Sequence, residues 1–246
     1  MRVDILTLFP EMFEAVLDSS IIGRAKDKGI LELNYIQIRD FAYNKHRQVD
    51  DYPYGGGTGM VMQPEPIYLA YQSVCQGLDY KPKTIYLSPQ GKPFRQGTAK
   101  KLAREEHLVL ICGHYEGVDQ RILDEIVDME ISLGDFVLTG GELAAMAVVD
   151  ATARLIPGVL KSEESFSEES HFSGLLEYPQ YTRPEEWRGR RVPEILLSGH
   201  HKNIEAWKRE MSIRTTLKKR RGMLSKAPLS EKEKIFVEEL KKNENL

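Results

Sequence analysis

The chain has 246 residues, 41% of them hydrophobic and 29% charged, which fits a globular protein with room for one large domain or two ordinary ones. No apolar run approaches the roughly 20 residues needed to cross a bilayer, and the opening Met1–Phe9 segment is short and carries Asp4, so it reads as a first strand rather than a signal peptide. The two cysteines, Cys75 and Cys112, show neither metal-ligand nor disulfide spacing. The cysteines point to a reducing cytoplasm and no metal site, and the lack of a bilayer-length apolar run to no membrane partner.

In chain order, Val3–Phe9 reads as a strand, and Pro10 opens a helix whose apolar face recurs at Met12, Phe13, Val16 and Leu17. Leu31–Ile38 alternates as a strand, and Pro64–Val74 is helical. Thr84–Leu87 is a short buried strand followed by a Pro/Gly turn; Gly97–Glu106 is helical and His107–Cys112 is a strand. Asp119–Asp124 reads as helix, Ile126–Leu133 as strand and Leu143–Leu155 as helix. This alternation predicts an α/β domain with a mostly parallel sheet over residues 1–160. Residues 161–189 have little periodicity and form a linker. From 190 to 246 the pattern is that of a small all-helical domain, with Ile204, Trp207, Lys208 and Met211 on one face and a Ser230–Glu233 capping box opening the last helix.

Charge is distributed unevenly. Residues 188–226 hold twelve Lys/Arg against three Glu, a local net of +9 in a chain whose total is −3. Such a patch is an electrostatic footprint for a polyanion, although a charge run taken alone is more often a solvated face.

The most informative run is Leu133-Gly134-Asp135-Phe136-Val137-Leu138-Thr139-Gly140-Gly141-Glu142, set between a predicted strand and a predicted helix. Glycine there lets a ligand approach the backbone closely. The run has no Lys and no GKS/T ending, which disfavours a phosphate cradle. Two further Gly/Pro-rich loops, Leu87-Ser88-Pro89-Gln90-Gly91 and Cys112-Gly113-His114-Tyr115-Glu116-Gly117, also follow predicted strands. Any one of them alone reads as a tight turn; three together predict one backbone-lined pocket at the carboxyl edge of the sheet.

The segments VDDYPYGGGTGM (49–60), CGHYEGVDQR (112–121), GDFVLTGGE (134–142), GLLEYPQYTRP (174–184) and LLSGHHKNIEAWK (196–208) resemble the bacterial tRNA (guanine-N(1)-)-methyltransferase family of SPOUT methyltransferases, over nearly the whole chain. That resemblance implies a deep C-terminal trefoil knot in the α/β domain, which fold rules alone disfavour. It also implies an obligate homodimer with an active site shared between subunits. The implied cofactor is S-adenosyl-L-methionine, and the implied partner is a tRNA anticodon stem-loop methylated at the guanine 3′ of the anticodon when another guanine precedes it. Whether Mg²⁺ acts at the reaction centre or only on the RNA stays open.

Carried over residue by residue, the resemblance gives the cofactor Tyr86, Leu87, Ser88, Pro89, Gly113, Tyr115, Glu116, Leu133, Gly134, Asp135, Phe136, Val137, Leu138, Gly140 and Gly141, with Glu177 approaching from the partner chain. Arg154 matches the arginine that faces the developing charge on the guanine carbonyl. Glu169 matches the position of the catalytic base, where the family has an aspartate; a shifted alignment brings Glu164-Ser165-Phe166 there instead. The RNA contacts implied are Gly57, Gly59, Ser198, His201, Lys202, Asn203 and Arg214. His114 reads as structural. Two competing classes are a nucleotide-dependent α/β enzyme, disfavoured by the absence of GxGxxG and GxxxxGK[ST] motifs, and a non-catalytic RNA-binding protein.

Overall fold

A computed structural model describes residues 1–161 and 170–243. The chain forms two compact units, Met1–Lys161 and Ser162–Leu246. In the first, the strands are β1 (Arg2–Thr7), β2 (Glu32–Gln37), β3 (Asp50–Asp51), β4 (Val61–Met62), β5 (Lys83–Pro93), β6 (His107–Cys112) and β7 (Met129–Ser132). Its α-helices are α1 (Pro10–Leu17), α2 (Ser20–Asp27), α3 (Pro64–Cys75), α4 (Gln96–Leu102), α5 (Gln120–Ile126) and α6 (Glu142–Ala153). Five strands pair in parallel in the order β2-β1-β6-β5-β7. This is the mixed α/β architecture with a central parallel sheet that the alternating pattern implies.

Parallel strands covered on both faces need apolar residues at successive positions, and β6 (HLVLIC) is buried throughout. The period of two then divides the core. Val3, Ile5, Leu108, Leu110, Cys112, Ile85, Leu87 and Ile131 face α1, α2 and α6. Leu6, Val109, Ile111 and Tyr86 face α3 and α5. At the amino end of the sheet the buried Asp4 carboxylate is satisfied by Arg2 Nε (2.8 Å), Asn34 Nδ2 (2.8 Å) and His107 Nε2 (2.5 Å).

Three differences from the sequence reading have local causes. The Pro/Gly segment after Leu87 is a bulge and not the end of the strand: β5 pairs with β7 through Leu87–Ile131, loops out, and pairs again at Lys92–Ile131 and Pro93–Ser132. A Cβ on Gly91 would lie 2.5 Å from the Ile131 nitrogen, so only glycine lets the two backbones approach there. Helix α2 does not appear in the sequence reading because Gly23 interrupts its apolar positions; a Cβ at Gly23 would lie 2.4 Å from the Asp18 carbonyl oxygen. The strand read from Ile126 begins at Met129, because Ile126 closes α5 and packs in the core.

The described part of the second unit runs from Ser170 through turns and irregular chain to a two-stranded hairpin, β8 (Glu186–Trp187) with β9 (Arg190–Arg191), so strand structure reaches into the segment read as purely helical. Helices α7 (Glu194–Leu197), α8 (His201–Arg220) and α9 (Glu231–Asn243) follow. Leu175, Ile213, Leu217, Leu224, Val237 and Leu240 make its core. The face read at Ile204, Trp207, Lys208 and Met211 is half-buried, whereas full burial on α8 falls at Ile213, Thr216 and Leu217. The capping box closes as expected, with Ser230 N–H donating to Glu233 Oε2 (2.7 Å) and Glu233 N–H to Ser230 Oγ (3.3 Å).

Glu233 also accepts from Arg209 Nε at 2.6 Å, and this hydrogen bond, with the cap, holds its carboxyl down at about 2 against an ordinary 4.5. A carboxylate depressed in the folded state contributes stability that is complete above pH 4.5 and lost as pH falls through about 2. Gln at position 233 keeps the capping box and removes the titration. The loss of helical signal between pH 4.5 and 2 is therefore expected to be shallower in E233Q than in wild type, relative to each protein's value at pH 6. Superimposable acid profiles by circular dichroism would refute this.

Candidate cofactor cleft and basic helical surface

The bulge of β5 and the loops that leave the carboxyl ends of β6 and β7 lie on the same edge of the sheet, where open parallel sheets bind ligands. They enclose a cavity of about 310 Å³. Tyr86, Leu87, Ser88 and Pro89 contribute from β5, Gly113, Tyr115 and Glu116 from the loop after β6, and Leu133, Phe136, Val137, Leu138, Gly140 and Gly141 from the loop before α6. The residues assigned to the cofactor from three separate stretches of sequence are thus brought together. Gly134 and Asp135 belong to the same loop but do not line the cavity; Gly134 is turned to Ser132, whose Oγ donates to its carbonyl (2.9 Å) and accepts from its N–H (3.1 Å).

The lining contains Glu116, Glu130 and His114 and neither Lys nor Arg. Burial, and then the neighbouring Glu130, push the Tyr86 phenol up to about 12, so it stays neutral. Burial, and then Glu142, raise the Cys112 thiol. A cavity with acidic groups and backbone walls repels phosphate and accepts a cationic or neutral ligand.

Glu142 is the residue the sequence reading gave no role, and its partner is His114, which was read as structural. Glu142 opens α6, and its carboxylate is only 3% exposed. His114 Nε2 lies 2.8 Å from Glu142 Oε2, and Thr7 Oγ1 donates to Oε1 at 2.7 Å. Thr7 Oγ1 in turn accepts the Phe9 N–H at 3.0 Å. The backbones run alongside: Gly141 N–H donates to the Gly113 carbonyl (2.9 Å), and His114 and Gly140 form a β-bridge. Two walls of the cavity and the end of β1 are thereby fixed to one buried carboxylate. The signal in the sequence was an acid directly after Gly140-Gly141, ahead of the apolar LAAMAVV segment.

The glycine-rich loop between β3 and β4 is pinned to the same wall. Glu116 N–H donates to the Met60 carbonyl (3.0 Å), and Met62 N–H to the Gly117 carbonyl (2.9 Å). Gly57 and Gly59 have φ of 131° and 119°, and a Cβ on Gly59 would lie 2.6 Å from Glu116 Cγ. Tyr54, at the tip, is fully exposed (100%).

Arg154 caps the carboxyl end of α6, its N–H donating to the Asp150 carbonyl at 3.2 Å, while the amino end of that helix lines the cavity. The two ends of a 12-residue helix stand about 18 Å apart. Within one chain, Arg154 is therefore remote from the cavity. Glu169 lies outside the described residues. Glu177 belongs to the second unit, where its carboxylate accepts the Ser170 N–H (3.2 Å) and its own N–H donates to Ser170 Oγ (3.0 Å).

Ser198, His201, Lys202 and Asn203 cluster, exposed, at the amino end of α8. Ser198 Oγ donates to the Ile195 carbonyl (2.7 Å), and His200, the N-cap, makes no side-chain cap. Arg214 is not part of that cluster. It lies eleven residues beyond Asn203, about 16 Å along the helix. There its Nε donates to Glu210 Oε1 (2.9 Å), and its guanidinium lies over Phe236 at 5.0 Å, so it braces α8 against α9. Among the described residues no group of three or more His, Cys, Asp or Glu could hold a metal ion.

Removing the Glu142 carboxylate leaves the Thr7 hydroxyl and His114 without their shared partner, a cost of roughly 1–3 kcal/mol for each buried polar group. E142A is expected to lower unfolding free energy by about 2 kcal/mol or more, and E142Q, which retains an amide for both contacts, by less. Denaturant titration checks this, and an E142A as stable as wild type would contradict the role given to the carboxylate.

The comparisons with known proteins agree on one family. The family described as tRNA (Guanine-1)-methyltransferase TrmD matches residues 1–226. A tRNA (guanine-N(1)-)-methyltransferase of Ruminiclostridium cellulolyticum is 57% identical over 228 residues, covering 93% of this chain and 98% of the relative. The protein of the same name from Moorella thermoacetica is 54% identical over 245 residues, covering 99% and 98%. That from Clostridium beijerinckii is 56% identical over 243 residues, covering 99% and 100%. With matches of this length and identity, the chain belongs to the tRNA (guanine-1)-methyltransferase family.

Proposed function

We propose that this protein transfers a methyl group from S-adenosyl-L-methionine to ring nitrogen 1 of the guanine immediately 3′ of the tRNA anticodon, when a guanine precedes it. The observation that carries the reading is the cavity at the carboxyl edge of the parallel sheet, walled by the backbone of three loops and lacking any Lys or Arg, in a chain of this family. S-adenosylmethionine supplies an electrophilic methyl group on a positively charged sulfur. The lining fits such a molecule: Glu116 and Glu130 suit its cationic groups, and the glycines at 113, 140 and 141 let the loops that wall the cavity pack closely against Tyr86, His114 and Cys112. Tyr86 and Tyr115 offer flat surfaces for its aromatic end.

Guanine nitrogen 1 carries a proton and is a poor nucleophile until that proton leaves. Glu169 is the proposed acceptor, a step worth about 10²–10⁴ in rate. The charge left behind spreads onto the guanine carbonyl oxygen, where the proposed role of Arg154 is to stabilise it by roughly 3–4 kcal/mol. Because Arg154 is remote from the cavity of its own chain, we assign it and Glu169 to a site completed by a second copy, in an obligate homodimer. Glu177 would reach the partner's cofactor. The β5 bulge, re-pairing with β7 beyond residues 88–91, is compatible with the trefoil knot of SPOUT methyltransferases, which we include in the proposal. The exposed cluster at the amino end of α8, in the most basic part of the chain, is the proposed grip on the anticodon stem. Among the described residues no helix is long and apolar enough to cross a membrane.

The direct test is transfer of labelled methyl from S-adenosylmethionine to tRNA transcripts. Labelling is expected with the target guanine present and abolished when adenine replaces it; equal labelling of both transcripts would sink the specificity. A second measurement addresses the base and the shared site together. E169Q is expected to lose about 10²–10⁴ in kcat with cofactor affinity retained, whereas E164Q stays near wild type; the reverse pattern moves the base to Glu164. Mixed dimers of E116A chains, impaired in the cofactor cavity, with chains carrying both R154A and E169Q should regain one working site, and their inactivity would count against a shared site.

A further inference from the structure

The β8–β9 hairpin places an aromatic ring and two guanidinium groups on one face of an exposed finger, and nothing in the proposed reaction uses them. Glu186 pairs with Arg191 and Trp187 with Arg190 in antiparallel register, joined by the two-residue turn Arg188-Gly189. Side chains alternate across such a ribbon, so Glu186 and Arg191 share one face, and Trp187 and Arg190 the other. The first face is electrically closed: Arg191 lies 2.7 Å from Glu185 and 3.9 Å from Glu186. The second is not. The Arg188 guanidinium stacks over the Trp187 indole at 5.0 Å, Trp187 remains 57% exposed, and among the described residues neither Arg188 nor Arg190 pairs with a carboxylate.

The turn itself argues that the arginine is there for its side chain. Two-residue hairpin turns of this kind need positive φ at both central positions, which Gly, Asn and Asp adopt most readily. Here φ is 50° at Arg188 and 76° at Gly189. A long side chain held in the left-handed region costs free energy that glycine would avoid, and such positions concentrate where the side chain serves a ligand. A Cβ at Gly189 would meet nothing within 4 Å, so the tip stands in open space.

We propose that the Trp187–Arg188–Arg190 face is a single-stranded RNA contact: an unpaired base of the tRNA stacks on the indole while the two arginines meet the adjoining phosphates. Stacked aromatic and cationic groups on a protruding edge are the chemistry that unpaired nucleotides select, since every base has a π-face and each nucleotide carries one negative charge. An apolar protein partner would leave the two guanidinium groups without a counter-charge, and a duplex offers no free base for the indole. The assignment rests on tRNA being the substrate.

The test is equilibrium binding of a tRNA transcript to the full-length protein over a range of salt concentrations, with cofactor affinity and thermal melting measured alongside. R188G is the informative variant, because it removes the guanidinium while giving the turn a residue suited to it. It is expected to bind tRNA about fivefold to tenfold more weakly, to lower the dependence of log affinity on log salt by about 0.7, and to melt no lower than wild type. W187A is expected to weaken binding about tenfold with the salt dependence unchanged, and W187F to restore most of it. Cofactor affinity should hold in all three. If wild type binds and methylates tRNA while R188G and W187A match it within twofold, the hairpin assignment is overturned and the enzymatic reading stands. If wild type itself does not bind tRNA, both fall. A W187A chain that changes oligomeric state while keeping its tRNA affinity assigns the indole to a contact between protein chains and likewise overturns the proposal.

Discussion

The contact on which the cleft depends is the close approach of the amino end of α6 to the carboxyl end of β6. A Cβ on Gly141 would lie 2.8 Å from Cys112 Cα, and one on Gly140 would lie 2.3 Å from His114 Nε2. Two successive residues without side chains let the helix start directly against the strand, and the Gly141 N–H then reaches the Gly113 carbonyl. That approach buries the first acid of the helix. A buried carboxylate is costly unless it is fully hydrogen-bonded, and here Thr7 and His114 supply the partners from two other strand ends. Its negative charge also sits at the positive end of the helix dipole. The loops of the cleft are held in place by this one satisfied charge.

From that anchor the chemistry of the cleft follows. Gly91 allows β5 to bulge and re-pair, so the segment 88–91 projects as one wall and does not continue flat along the sheet. Two further walls come from the loops after β6 and β7, with the Asp50–Met60 loop clipped behind Glu116. The cavity offers backbone, the aromatic rings of Tyr86, Tyr115 and Phe136, and acidic groups. Lacking a cation, it is a poor phosphate site, and it suits a ligand whose charge is positive.

The second unit follows a different electrostatic rule. Its core is small, and its basic residues are partly committed to structure: Arg209 to Glu233 and the cap of α9, Arg214 to Glu210 and Phe236. Those left at the surface, Lys202 at the start of α8, Lys218, Lys219 and Arg220 at its end and the arginines of the hairpin face, stand where a polyanion can reach them. Counting basic residues therefore overstates the surface available to RNA, and only the pairing pattern separates the two groups.

The alternation of strand and helix in the first unit was legible in the sequence because burial on both faces of a parallel sheet forces apolar runs of strand length, as in His107–Cys112 and Arg2–Thr7. The three glycine-rich loops were legible as a pocket for the same reason, since each follows such a run. Other features had no one-dimensional signature. The β5 bulge looked like a turn because Pro89 and Gly91 punctuate either one. Helix α2 was hidden by Gly23, which is needed for contact with Asp18 and not for helix propensity. His114 and Glu142 are 28 residues apart, and neither announces the other until the helix and the strand meet. The sequence by itself determined the fold class, the family and the loops that form the cleft, because local periodicity and ordered motifs carry that information. Tertiary structure decided which charges are buried, which arginines are already paired and how far Arg154 stands from the cavity, because those depend on distances between segments that no local pattern encodes.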